Sequence, residues 1–105
     1  MDYNLFAKQA GLSPRTAERQ AYRTLRNAFR ASYLGRRAPL PIGQHFETWN
    51  GGAYNHALTR FLLETCRLRE VRCVSYRELV DWLDAQPRRV LRRARKGRFE
   101  RLKRP

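Results

Sequence analysis

A stripe of apolar residues between Ser13-Pro14 and Gly35 constrains this chain more than any other feature. Ala17, Ala21, Leu25, Ala28, Phe29, Ser32 and Tyr33 recur at three- and four-residue spacings, while Arg15, Arg19, Arg23, Arg26 and Arg30 lie off that stripe. A serine oxygen can accept a bond from an orphan N–H, and proline at the first helical position has none to lose. The pattern predicts one long helix over 14–34, one face buried and the other basic and wet. Gly35 offers a left-handed stop, and Pro39 and Pro41 forbid helix directly after it.

Beyond this helix the signals alternate. Residues 40–46 read as extended, and Trp49-Asn50-Gly51-Gly52 reads as a loop with Asn50 as N-cap for a second helix over 52–66, striped by Tyr54, Leu58, Phe61, Leu62 and Thr65. Residues 71–74, Val-Arg-Cys-Val, predict a short strand, and Ser75-Tyr76-Arg77-Glu78 is a capping box opening a third helix to about residue 85. Helices alternating with strands indicate an α/β class, with 40–46 and 71–74 expected to be parallel. Two or three strands cannot close a barrel, so the expectation is the C-terminal fragment of a deformed (β/α) barrel, with apolar surface exposed where further strands would pack.

A length of 105 residues allows one small core. No run of apolar residues is long enough for a membrane span, and no apolar leader follows Met1, so the chain as written reads as cytoplasmic. The net charge of +14 is unevenly placed. Residues 88–105 hold ten basic side chains and one acid, which divides the chain into a domain over 1–87 and an Arg-rich tail over 88–105, expected to be marginal helix or disorder. Such a tail attracts any polyanion by counterion release, without naming it.

The residues Arg37-Ala38-Pro39-Leu40-Pro41-Ile42-Gly43-Gln44-His45-Phe46, followed by Trp49-Asn50-Gly51-Gly52-Ala53-Tyr54, carry a family likeness. Together with Met-Asp-Tyr-Asn at 1–4 and Val-Arg-Cys-Val-Ser-Tyr-Arg-Glu-Leu-Val-Asp-Trp-Leu-Asp at 71–84, they resemble the C-terminal portion of bacterial polysaccharide deacetylases, the chitin deacetylase-like carbohydrate esterases of family four. The resemblance runs from Met1 to about Gly97. It implies hydrolysis of N-acetyl groups on a carbohydrate polymer, with His45 as the catalytic acid. Amide hydrolysis needs such an acid, because the amine leaves poorly unless protonated. Gln44 departs from the family, whose members carry an aliphatic residue or a second histidine there.

The resemblance also implies a divalent, zinc-like ion held by one aspartate and two histidines on motifs that precede this region, and a parent enzyme that is exported or periplasmic. None of those motifs is in the chain, and His56, alone within the second helix, reads as a surface residue. The chain by itself is therefore expected to bind no metal and to be inactive until the missing segment is supplied. Asp2 and Asn4 could orient His45 or line the sugar cleft, and Trp49, flanking the histidine with Phe46, is either a stacking platform or core. Cys66 and Cys73 form a disulfide in an exported parent or stay as buried thiols in a cytosolic chain. Two other readings stand beside the enzyme fragment: a small basic nucleic-acid- or polyanion-binding protein, and a truncated product with no function.

Overall fold

The computed structural model describes residues 1–9, 11–45 and 47–99. Among the described residues there are five helices: α1 (Asp2–Gln9), α2 (Pro14–Leu34), α3 (Trp49–Thr65), α4 (Tyr76–Asp84) and α5 (Arg88–Arg95). Among the described residues there is no strand, so the architecture is all-helical and the α/β barrel-fragment expectation is overturned.

The long helix forms as its sequence dictates. Ser13 Oγ accepts from the Thr16 N–H at 3.3 Å, and Pro14 takes the first helical position. Its end differs from expectation. Gly35 adopts φ −96°, ψ −130°, not a left-handed geometry, and glycine is needed there because a Cβ would sit 2.5 Å from the Ala31 carbonyl oxygen. The left-handed residue comes two positions later, at Arg37 (φ 56°).

Helix α3 opens with a kink. Asn50, Gly51 and Gly52 have φ of 50°, 63° and 79°, so regular helix begins at Ala53, and glycine suits the last two positions because it alone enters this region without strain. Asn50 is not the N-cap that the sequence suggests. Its side-chain amide donates to the Tyr54 hydroxyl at 2.9 Å and to the Gln9 carbonyl at 3.4 Å, fastening the kink to the end of α1.

The core lies between α2 and α3. Ala17, Ala21 and Leu25 of α2 and Ala53, Tyr54, Ala57 and Phe61 of α3 are all buried, and the alanines let the two backbones approach closely. The helices run in the same direction. The Gly51 turn lies against Pro14 at one end, Phe29 meets Phe61 edge-on at 6.0 Å farther along, and Arg37 meets Glu70 at the other end. Tyr22 bonds Glu64 between them, with Arg60 lying 4.0 Å over the Tyr22 ring.

Parallel helices require the connecting chain to return the length of α2, roughly 30 Å for its 21 residues. Residues 36–45 make that return, bringing His45 back to Asp2 at the start of α1. Extended backbone becomes a strand only when a neighbour takes its N–H and C=O groups, and among the described residues no backbone hydrogen bond joins this segment to 71–74. The residue composition of both segments predicts strand, but among the described residues neither has a ladder partner.

Cys66 and Cys73 are joined in a disulfide, with Cα atoms 5.5 Å apart. The bridge closes the loop between α3 and α4. Ser75 and Glu78 form the expected capping box, Glu78 accepting the Ser75 N–H at 2.7 Å. Neither α4 nor α5 contains a buried residue, and Tyr76 and Val80 of α4 are exposed. Among the described residues no helix is long and apolar enough to cross a membrane.

Candidate functional site

The return of residues 36–45 has a chemical consequence: it delivers His45 to the start of α1. Asp2, only 2% exposed, accepts the His45 backbone N–H on Oδ2 at 2.7 Å and faces the imidazole Nδ1 through Oδ1 at 3.0 Å. The Tyr3 N–H donates to the same Oδ1 at 2.9 Å. The chain amino group adds a weak contact to the Gly43 carbonyl at 3.4 Å. His45 itself is largely open, its side chain 62% exposed. A buried carboxylate thus grips an accessible imidazole from behind.

Burial alone would raise the Asp2 carboxyl, but hydrogen bonds from the His45 ring, the His45 backbone and the Tyr3 backbone outweigh it and hold Asp2 below its ordinary value of 3.8. Asp2 is therefore ionised near neutrality and can only accept. Nδ1 must carry the proton between them, which leaves Nε2 as the nitrogen free to exchange a proton at the surface.

An aromatic group borders the histidine. Trp49 is half-buried, with Phe6 stacked on it at 5.0 Å, Tyr3 edge-on at 6.0 Å and the His45 ring at 5.5 Å. One face of the indole is therefore occupied by Phe6. The aromatic most open to solvent in this group is Tyr3, 58% exposed, which residue type and spacing did not single out although it lies between Asp2 and Asn4.

Of the site residues expected from sequence, Asp2, His45 and Trp49 come together. Asn4 stands exposed on α1 and does not join Asp2 at the histidine. Phe46 lies outside the described residues, as does the tail beyond residue 99. Gln44, the departure from the family pattern, donates to Asn55 Oδ1 at 2.6 Å, while its own Oε1 is buried without a hydrogen-bond partner. Asn55 in turn donates to the Glu47 carbonyl at 2.8 Å, so this pair pins the segment carrying His45 to α3.

The divalent ion that the resemblance implies does not fit these residues. Among the described residues no three His, Cys, Asp or Glu side chains are grouped to hold an ion. Asp2 is committed to His45, both cysteines are spent on each other, and His56 stands exposed on α3. No family model, curated protein or solved structure matches the chain.

Proposed function

We propose that this chain supplies the proton-donating histidine of a metal-dependent polysaccharide deacetylase, the metal ligands belonging to a segment outside these 105 residues. The observation that carries the reading is the pairing of buried Asp2 with exposed His45: the resemblance implies the catalytic acid at His45, and orienting that histidine is one of the two roles it allows Asp2. In this role Asp2 fixes the segment through the His45 backbone N–H and orients the imidazole through a single contact to Nδ1. Nε2 delivers a proton to the departing amine nitrogen as the N-acetyl C–N bond breaks. Tyr3 and the rim of Trp49 offer an aromatic edge beside that nitrogen on which a sugar ring can rest. The Cys66–Cys73 disulfide fits a protein that works in an oxidising compartment, as an exported polymer-modifying enzyme does.

The test measures acetate release from N-acetylglucosamine oligomers by the chain alone and by the chain joined to the segment encoded upstream of Met1. The expected result is no release by the chain alone and metal-dependent release by the joined protein. His45→Ala in the joined protein lowers the chemical rate by roughly a hundred- to ten-thousand-fold, the usual worth of a positioned general acid, with metal content unchanged. His56→Ala leaves the rate as it was. Full turnover by His45→Ala ends the reading, as does tight zinc binding by the 105-residue chain through its two histidines.

A further inference from the structure

The outer side of α2 carries a row of guanidinium groups that the proposed chemistry leaves unused. At 3.6 residues per turn, Arg15, Arg19, Arg23, Arg26 and Arg30 fall within about 80° of one another around the helix, and they span about 22 Å along it. Four of them are exposed and Arg26 is half-buried. The helix holds a single acid, Glu18. Among the described residues the side-chain ion pairs are Arg37–Glu70, His45–Asp2 and Arg60–Glu64, so none of the five is in a contact ion pair, and Arg26 feels a nearby carboxylate, that of Glu64. The row begins at the residue after Pro14, the side chain against which the Gly51 turn packs, two residues from Trp49. It thus leads away from the end of the molecule that holds the His45 site.

We propose that this row is a binding track for a linear acidic polysaccharide, which makes the substrate of the proposed deacetylase an N-acetylated polymer bearing carboxylates. The proposal rests on the deacetylase reading for its biological sense, but its binding test does not. Arginine forks pair with carboxylates in bidentate fashion, and a row of them along a rigid helix matches charges repeated along a chain. The surroundings of the row favour this occupant over other polyanions. A single-stranded nucleic acid would be expected to stack on exposed aromatics among the arginines. Every aromatic of α2 is already engaged: Tyr22 with Glu64 and Arg60, Phe29 with Tyr33 and Phe61, and Tyr33 with Arg37. A membrane surface would call for an apolar face beside the basic one, and α2 spends its apolar face on α3.

The test compares binding of the full chain to four probes: a polymer alternating glucuronic acid and N-acetylglucosamine, neutral N-acetylglucosamine oligomers, a single-stranded oligonucleotide of equal charge, and phosphatidylglycerol vesicles. The acidic polymer is expected to bind with a steep salt dependence. Arg19→Gln, Arg23→Gln and Arg30→Gln combined should weaken it about tenfold or more at low salt and flatten the salt slope by about two units. Among the described residues these side chains make no ion pair, so the circular dichroism should not change. Lysine at the same three positions should keep the slope and lose part of the affinity. Wild-type affinity in the triple glutamine variant overturns the proposal, since the charge at 88–105 would then carry the binding. Tighter arginine-dependent binding of the oligonucleotide or the vesicles overturns it too. Arginine-dependent polymer binding without acetate release by the joined protein would remove only the deacetylase reading, and acetate release without arginine dependence would remove only the track.

Discussion

Asp2 concentrates three hydrogen bonds on one buried carboxylate, so the site and the stability of this end of the molecule depend on the same group. Asp2→Asn replaces an acceptor-only side chain with one whose amide N–H₂ must face a donor. The expected cost is about 1–3 kcal/mol at pH 7, read from urea unfolding. The cost should depend on pH in a defined sense. The folded-state carboxyl titrates below its ordinary value of 3.8, so its contribution is fully present above that value and is lost as pH falls through the lowered one. The two proteins should therefore differ in stability at pH 5–7 and converge as pH drops well below 4. A difference that persisted undiminished in strong acid would mean that Asp2 acts through packing and not through its charge. The motif resemblance names Asp2, Asn4, His45 and Trp49 together, but it does not distinguish Asp2 from Asn4, which share one motif. Only the fold does so, by turning Asp2 inward and Asn4 to solvent.

At the scale of elements, helix α2 and the start of α4 were legible because their signals are local: Ser13-Pro14, the 3.6-residue stripe, and the Ser75–Glu78 capping box each act within a few residues. The segments 40–45 and 71–74 misled for the complementary reason. β-branched residues and prolines specify extended backbone, but a strand is defined by a partner that lies elsewhere in the chain. The basic segment after Pro87 is helical from Arg88 to Arg95, and Phe99 returns to donate its N–H to the Arg36 carbonyl at 3.3 Å. What fixes α2 to α3 is the alanine-lined contact. Ala21 is 1% exposed in a cluster with Ala17, Ala53 and Ala57, so Ala21→Leu has no room and should force the helices apart at a cost of about 1–3 kcal/mol. Equilibrium unfolding measures the loss, and a stabilised variant would mean that the interface has slack that the burial does not suggest.

Over the whole molecule the packing is uneven. The radius of gyration is 15.8 Å and the principal extents are 49 × 24 × 24 Å, longer than the roughly 13 Å radius of a compact chain of this size. Among the described residues the buried side chains lie in α1, α2 and α3, while α4 and α5 have none. The α4–α5 arm is held by discrete ties: the Cys66–Cys73 bridge, the Arg37–Glu70 ion pair at 2.8 Å, and the Phe99–Arg36 backbone bond. Ties of this kind fix position without supplying the burial that makes an element fold cooperatively, so the molecule should open in two stages. Amide exchange is expected to be slowest in α2 and α3 around Leu25 and Phe61 and fast throughout α4 and α5. Cys66→Ser with Cys73→Ser removes the covalent tie and frees Glu70, which lies inside the bridged loop, to leave Arg37. Exchange in α4 should then rise further and protease should cut between residues 67 and 75, while protection in α2 and α3 stays near its wild-type level. Loss of protection across all helices together in the double serine variant would show instead that the arm and the helical core form one cooperative unit, with the disulfide supporting the fold that presents His45.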